Sequence, residues 1–154
     1  MTKWALVTGA SAGIGKEFCE QLAARGDNVV LVARRADRLK ELKAHLEKRY
    51  RVHAEVLAAD LANADDLKRV AERVAQASDP IEVLVNNAGF GLKTAFLDTD
   101  VEKEIASVDV MVKAVVVLSH AAGRAMRERG RGAIINVCLL YTSDAADDMQ
   151  WVDL

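Results

Sequence analysis

The stretch Thr8-Gly9-Ala10-Ser11-Ala12-Gly13-Ile14-Gly15 does most to limit what this chain can fold into. A short apolar run, Trp4-Ala5-Leu6-Val7, precedes it, and a segment carrying Ile14, Phe18 and Leu22 at every fourth residue follows. The order is strand, tight glycine turn, amphipathic helix. Three glycines let the backbone take positive φ and let a phosphate approach without meeting a Cβ. The unpaired N–H groups of the helix's first turn, with the positive end of its dipole, would face that phosphate. Glycine turns also arise for packing alone; the placement between strand and helix is what points to a nucleotide.

Further along, Gly26 is a natural helix stop, and Val29-Val30-Leu31-Val32 is apolar without alternation, as a strand covered on both faces should be. Leu39, Leu42 and Leu46 form the inner stripe of a second helix with Arg and Lys outside. Val52, Ala54 and Val56 alternate with His53 and Glu55, which reads as a strand nearer an edge. Asn63 can cap a helix carrying Leu67, Val70 and Val74, and Pro80 separates it from the strand Val83-Leu84-Val85. From Asp100 to Arg129 the segment is crowded with valine, and local propensity alone would accept a strand there. Its length, its charged residues, Gly130 at its end and the capping-box spacing of Thr99 and Glu102 favour one long helix. Gly132 then leads into a fifth strand, Ala133 to Val137. The expected fold is an α/β doubly wound parallel sheet, Rossmann-type, in the order 3-2-1-4-5, truncated after that fifth strand. Residues 1–137 would form this partial nucleotide-binding domain.

Composition narrows the function. A formal net charge of −2 leaves no footprint for nucleic acid. No uninterrupted apolar run reaches the roughly 18 residues that span a bilayer, so no membrane partner is expected. No secretory signal precedes the first strand. The two cysteines, Cys19 and Cys138, form no disulfide framework or metal spacing, and a cytoplasmic setting fits. Cys19, beside Phe18, reads as a small core residue. His45, His53 and His120 have no partners at metal-ligand spacing. Asp65, Asp66, Glu102 and Glu104 sit near helix starts, where the dipole favours them over acid–base work.

The TGxxxGxG turn with Gly9, Gly13 and Gly15, Asp60-Leu61 after the third strand, and Asn86-Asn87-Ala88-Gly89 after the fourth together resemble the short-chain dehydrogenase/reductase family over roughly residues 3 to 137. The resemblance implies an oxidoreductase that moves hydride between a nicotinamide cofactor and a small-molecule carbonyl or alcohol. It places Gly9, Ser11, Gly13, Ile14, Gly15, Asp60, Leu61, Asn87, Ala88 and Gly89 at the cofactor. Asp60 by itself would more often be a cap or turn residue. An NAD site carries an acidic residue about 20 residues past the glycines to hold the ribose hydroxyls. Here Ala33-Arg34-Arg35 occupies that place, so Arg34 and Arg35 favour the 2′-phosphate of NADP, unless they merely begin a solvated helix. The resemblance also implies a homo-oligomer built through the long helix, with Val112, Val115 and Val116 toward a partner; core burial is the alternative.

In the family, a serine polarises the carbonyl, a tyrosine passes the proton, a lysine four residues later lowers its pKa, and a helix asparagine completes a water relay. Met111 stands where that asparagine belongs. Tyr141 is followed four residues later by Ala145, Ser143 lies on its wrong side, and no Lys, Arg or His follows Arg131. No catalytic residue is therefore assigned, and this sequence is expected to be inactive. From Cys138 the chain reads Leu139-Leu140-Tyr141-Thr142-Ser143-Asp144-Ala145-Ala146-Asp147. With Cys138 that is what TGT CTC TTA TAC ACA TCT GAC GCT GCC GAC encodes, and it looks like read-through of a transposase sequencing adapter. Residues 138–154 are thus expected to be a non-native tail, replacing about a hundred residues of a single-domain protein. A disordered acidic tail on a noncatalytic NADP-binding or dimerising module is the alternative.

Overall fold

A computed structural model describes residues 3–92 and 94–137. The expectations for Tyr141, Ser143 and the tail from Cys138 lie outside the described residues. Five parallel strands, β1 (Trp4–Thr8), β2 (Asn28–Ala33), β3 (Ala54–Ala58), β4 (Ile81–Asn86) and β5 (Ala133–Asn136), form one sheet in the order β3-β2-β1-β4-β5. Between them run α1 (Gly13–Ala24), α2 (Ala36–Tyr50) and α3 (Ala64–Ala75), then α4 (Val101–Val108) and α5 (Ala114–Arg129), which a π-turn at Asp109–Lys113 joins into one continuous helical run.

Period-two alternation in strands that are apolar throughout divides the core between the two sheet faces. Ala5, Val7, Val29 and Leu31 pack on the face covered by α1 and α2, with Leu39, Leu42 and Leu46. Leu6, Val30, Val32 and Leu84 pack on the other face with Val70 and Val74 of α3 and Leu118 and Ala122 of α5. Each fully buried Val or Leu contributes about 1.5–3 kcal/mol by leaving water. β3 is an edge strand, as its alternation implied. At the opposite edge, all four residues of β5 are exposed.

The caps bear out some sequence signals and correct others. Asn63 Oδ1 accepts the N–H groups of Asp65 at 3.0 Å and Asp66 at 3.1 Å, so its capping role holds. Gly26 and Gly130 stop α1 and α5 with φ of +86° and +68°. The expected Thr99–Glu102 capping box does not form. Thr99 lies one residue too early, its hydroxyl donates to the Ala95 carbonyl at 3.0 Å, and α4 starts at Val101 after an uncapped Asp100.

Two further expectations change. Ile14 is not part of the inner stripe of α1; it is 61% exposed, and the buried line is Gly15, Cys19, Leu22 and Ala23. The run Val101–Arg129 is long and apolar enough to cross a membrane by length and composition, with a mean hydropathy of 1.7 and 28% of that window buried. The sequence hides this because Asp109 and Lys113 interrupt the apolar run. One such helix is weak grounds for a membrane span, and its inner line Ala114, Leu118, Ala122 and Met126 is buried on the sheet.

Candidate functional site

The C-terminal ends of β1, β2 and β4 open onto a crevice of about 540 Å³, within the range of small-molecule sites. It sits where the strand order reverses, between β1 and β4, which is where open α/β sheets bind ligands. Gly9, Ser11, Ala12 and Ile14 line it from the first loop, Arg34 and Arg35 from the end of β2, Asp60 and Leu61 from the end of β3, and Asn87, Ala88 and Gly89 from the end of β4. The structure thus brings together every expected cofactor residue except Gly13 and Gly15, which do not line the crevice. Exposure of Ile14 follows from this arrangement: it covers the crevice instead of the core.

The glycines divide their roles. Gly9 has a φ of +69°, and a Cβ on it would stand 2.7 Å from Asn87 Nδ2. A Cβ on Gly15 would overlap the Gly9 carbonyl oxygen and the Asn87 side-chain amide. Gly13, with a φ of +54°, faces open space, so it is required for its conformation alone. Close approach of the β4 end to Gly9, and of the loop and Asn87 to Gly15, therefore fixes two of the three positions.

Thr8, which sequence reasoning did not assign to the site, holds the loop to β4. Its buried hydroxyl accepts the N–H groups of Asn87 at 2.9 Å and Ala88 at 3.0 Å and donates to the Val85 carbonyl at 3.3 Å. Asn87 returns a bond from Nδ2 to the Thr8 carbonyl at 3.0 Å. Asn86 next to it donates to Ser119 Oγ at 3.0 Å and to Asn136 Oδ1 at 2.9 Å, tying β4 to α5 and β5. Thr8→Val keeps the shape but strands two amides. It is expected to lower stability by about 1–3 kcal/mol, read by urea titration. The Thr in TG before the turn was the available signal, but nothing local says where its hydroxyl goes.

The start of α1 is chemically unlike that of α3. Ala12 gives α1 no side-chain cap, and no acidic residue occupies its first turn. At α3, Asn63, Asp65 and Asp66 fill the equivalent place. An uncapped N-terminus beside a glycine loop, with Arg34 and Arg35 across the crevice, suits a phosphorylated ligand. The Arg35 Nη2 group donates to Ser11 Oγ at 3.1 Å, so the two guanidinium groups and the loop hydroxyl share one end of the crevice. A dinucleotide fits these residues: phosphates at α1, cations at one end, small residues at the other.

Asp60 combines both readings considered for it. Its Oδ1 accepts the Ala62 N–H at 3.1 Å as a turn residue, while it also lines the crevice. Its own N–H donates to Asp66 Oδ2 at 2.7 Å, and Arg69 donates to Asp66 Oδ1 at 2.7 Å. The Asp60 N–H and then Arg69 hold the Asp66 carboxyl below its usual pKa. A depressed carboxylate stabilises the fold above its unfolded pKa and loses that contribution as pH falls through the folded value. Asp66→Asn is accordingly expected to flatten the acid side of the Tm–pH curve below about pH 4.

Other candidates fall outside the crevice. Cys19 is fully buried, and burial pushes its thiol up to about 12, which makes it a poor nucleophile. His45 Nε2 lies 3.1 Å from Glu20 Oε1, and the Tyr50 hydroxyl donates to Glu20 Oε2 at 3.1 Å, joining α1 to α2 on the surface. His53 and His120 are exposed. Among the described residues, no cluster of His, Cys, Asp and Glu could hold a metal.

Comparison with known proteins agrees with this geometry. The chain is 45% identical over 109 residues to a very-long-chain 3-oxoacyl-CoA reductase of Meyerozyma guilliermondii, covering 69% of this chain and 31% of that one. An alcohol dehydrogenase of Comamonas testosteroni specific for bulky-bulky ketones superposes with a TM-score of 0.84 at 35% identity, over 87% of this chain and 53% of that one. A short-chain dehydrogenase of Sphingobium yanoikuyae in complex with NADPH gives 0.84 at 36% identity, over 87% and 52%. The chain thus spans about half or less of the length of these relatives. Residues 3–148 match the short chain dehydrogenase family model, beyond the Val137 boundary expected from sequence. With that match over most of its length, the chain belongs to the short-chain dehydrogenase family of oxidoreductases.

Proposed function

We propose that the protein to which this chain belongs reduces a small carbonyl compound, or oxidises the corresponding alcohol, with NADP(H) in the cytoplasm. The observation that carries the cofactor choice is that Arg34 and Arg35 line the crevice from the end of β2, Arg35 donating to Ser11, while the end of β2 contributes no carboxylate to the wall. Two guanidinium groups match a 2′-phosphate and would be idle beside a bare ribose. The NADPH bound to the Sphingobium relative supports the same reading. NADPH supplies the hydride; this chain's own residues bind its phosphates at α1, orient its adenosine end with Arg34 and Arg35, and shape the other end with Asn87, Ala88 and Gly89. The substrate follows from the family alone, and no nucleic acid or membrane enters the proposal.

This sequence carries no serine, tyrosine and lysine at the family's spacing, so as written it binds cofactor without turning it over. Titrating the 154-residue chain with NADPH, NADH and 2′,5′-ADP tests the cofactor reading directly. NADPH and 2′,5′-ADP binding well ahead of NADH supports it; equal affinity for NADPH and NADH sinks it. Amplifying and sequencing the source DNA across the Val137–Cys138 junction tests the tail. A frame that continues into Ser, Tyr and Lys makes residues 138–154 foreign, whereas genomic tail codons ending in a stop favour the second reading.

That second reading is a noncatalytic NADP-binding or dimerising module. Its particular support is the outer face of the long helical run, where Val101, Ile105, Val108, Val112 and Val116 are all at least half exposed. This stripe has the helical spacing of a helix–helix seam, and the same face would make the parent protein a homo-oligomer around Val112. Val112→Glu with Val116→Glu is expected to convert a dimer to a monomer on size-exclusion chromatography; an unchanged elution volume removes this face from the account.

A further inference from the structure

The π-turn at Asp109–Lys113 interrupts an otherwise α-helical run of 29 residues, and Met111 sits at its centre. π-turns are rare and concentrate at functional sites, because the extra residue in the turn re-aims side chains. Here Val110 points inward, 8% exposed, and lines the crevice, while Met111 lies beside it at 39% exposure. A Cβ on Gly89 would stand 3.5 Å from the Met111 sulfur and 3.6 Å from its Cγ. The thioether therefore lies on the side of Gly89 where a side chain would project, with just enough room between them for one methyl group. An ion pair from Lys113 to Asp109, 2.6 Å long, spans the same turn from outside.

The strand order decides which end of a dinucleotide this is. Arg34 and Arg35 follow β2, on one side of β1, while Gly89 follows β4 on the other. With the 2′-phosphate at the arginines and the pyrophosphate at α1, the nicotinamide end falls on the β4 side, where Gly89, Phe90 and Val110 line the wall. We propose that Met111 is a positioning residue that closes the nicotinamide end of the crevice with an apolar, polarizable cover, so that this chain presents a thioether where an amide would admit water. The inference rests on the NADP reading. An unbranched thioether suits the role, since it adapts to a flat ring and offers no strong hydrogen bond to solvent.

The test uses NADPH emission with the 154-residue chain. The wild-type chain is expected to raise the emission of NADPH on binding and to protect it from acrylamide quenching. Met111→Ala should lose most of both effects, Met111→Leu should retain them, and the Kd for 2′,5′-ADP should stay the same in all three. Met111→Asn, close in size, repeats the comparison if the alanine variant fails to fold, with restored quenching as the expected result. Emission and quenching equal to wild type in the alanine or asparagine variant overturns the proposal. So does a parallel loss of 2′,5′-ADP affinity, which would make Met111 a general structural residue. A wild-type chain that binds neither NADPH nor 2′,5′-ADP overturns the NADP reading together with this one.

Discussion

With alanine in place of Gly15, the chain is expected to melt several degrees lower and to bind NADPH more weakly. The new Cβ would fall on the Gly9 carbonyl oxygen and the Asn87 side-chain amide. Neither can retreat cheaply. Gly9 already holds a φ of +69°, and Asn87 is bonded through its amide to the Thr8 carbonyl at 3.0 Å. Overpacking a core costs about 1–3 kcal/mol and occasionally more; overlap with backbone puts this case at the upper end. A loss of that size lowers Tm by about 2–4 °C per kcal/mol in a domain of this length. Gly13→Ala is the control. Its φ of +54° is strained for alanine, but nothing lies within 4 Å, so it should cost only about 1–2 kcal/mol. Thermal melts of the two variants settle the matter: a Gly15→Ala chain as stable as Gly13→Ala would mean that the helix does not seat on the loop as described.

Replacing both Arg34 and Arg35 with alanine is expected to weaken NADPH binding while leaving NADH almost untouched. A charge-assisted hydrogen bond contributes about 1.5–3 kcal/mol, and each 1.4 kcal/mol or so is tenfold in Kd. The double variant should therefore lose about 100-fold or more in NADPH affinity. Both side chains project from the start of α2 into the crevice rim, so stability should barely change. The single variants separate the roles. Arg35 already donates to Ser11 at 3.1 Å, and Arg35→Ala also frees the loop hydroxyl. Arg34→Ala removes a cation alone. Isothermal titration with NADPH, NADH and 2′,5′-ADP provides the numbers, and a double variant that loses both cofactors equally would show that the arginines act on the loop and not on the phosphate.

The sheet was legible in the sequence because its strands are short apolar runs divided by clear stop signals. Val29 to Val32 is buried on both faces, and its lack of alternation said as much. Asn63 could be read as a cap because capping is local, needing only the two amides that follow it. The failures have a common cause. Ile14 matched the helical stripe, but periodicity marks one side of a helix without saying whether that side meets the core or a ligand crevice. Thr99 had capping-box spacing, yet the preceding turn at Phe96–Asp98 offered its hydroxyl the Ala95 carbonyl instead. The π-turn left no mark in the residue pattern, since Val110 and Ala114, both buried, keep the i,i+4 spacing of an ordinary helix. Thr8 was visible as part of the glycine motif, but its partners lie 79 and 80 residues away.

That separation bears on the order of events during synthesis. Bringing Thr8 to Asn87 closes a loop of just over half the chain, and closure entropy must be met before the contact returns anything. β1, α1 and β2 can pair locally long before then, since Trp4 to Thr8 runs alongside Asn28 to Val32. Yet the shape of the glycine turn, with Gly9 and Gly15 closed around Asn87, is set only when β4 docks. A ribosome that has released the first fifty residues has delivered the glycine sequence without its binding geometry. A dinucleotide that binds this crevice can therefore meet it only late, and would act on the nearly finished sheet by favouring the docked form of β4.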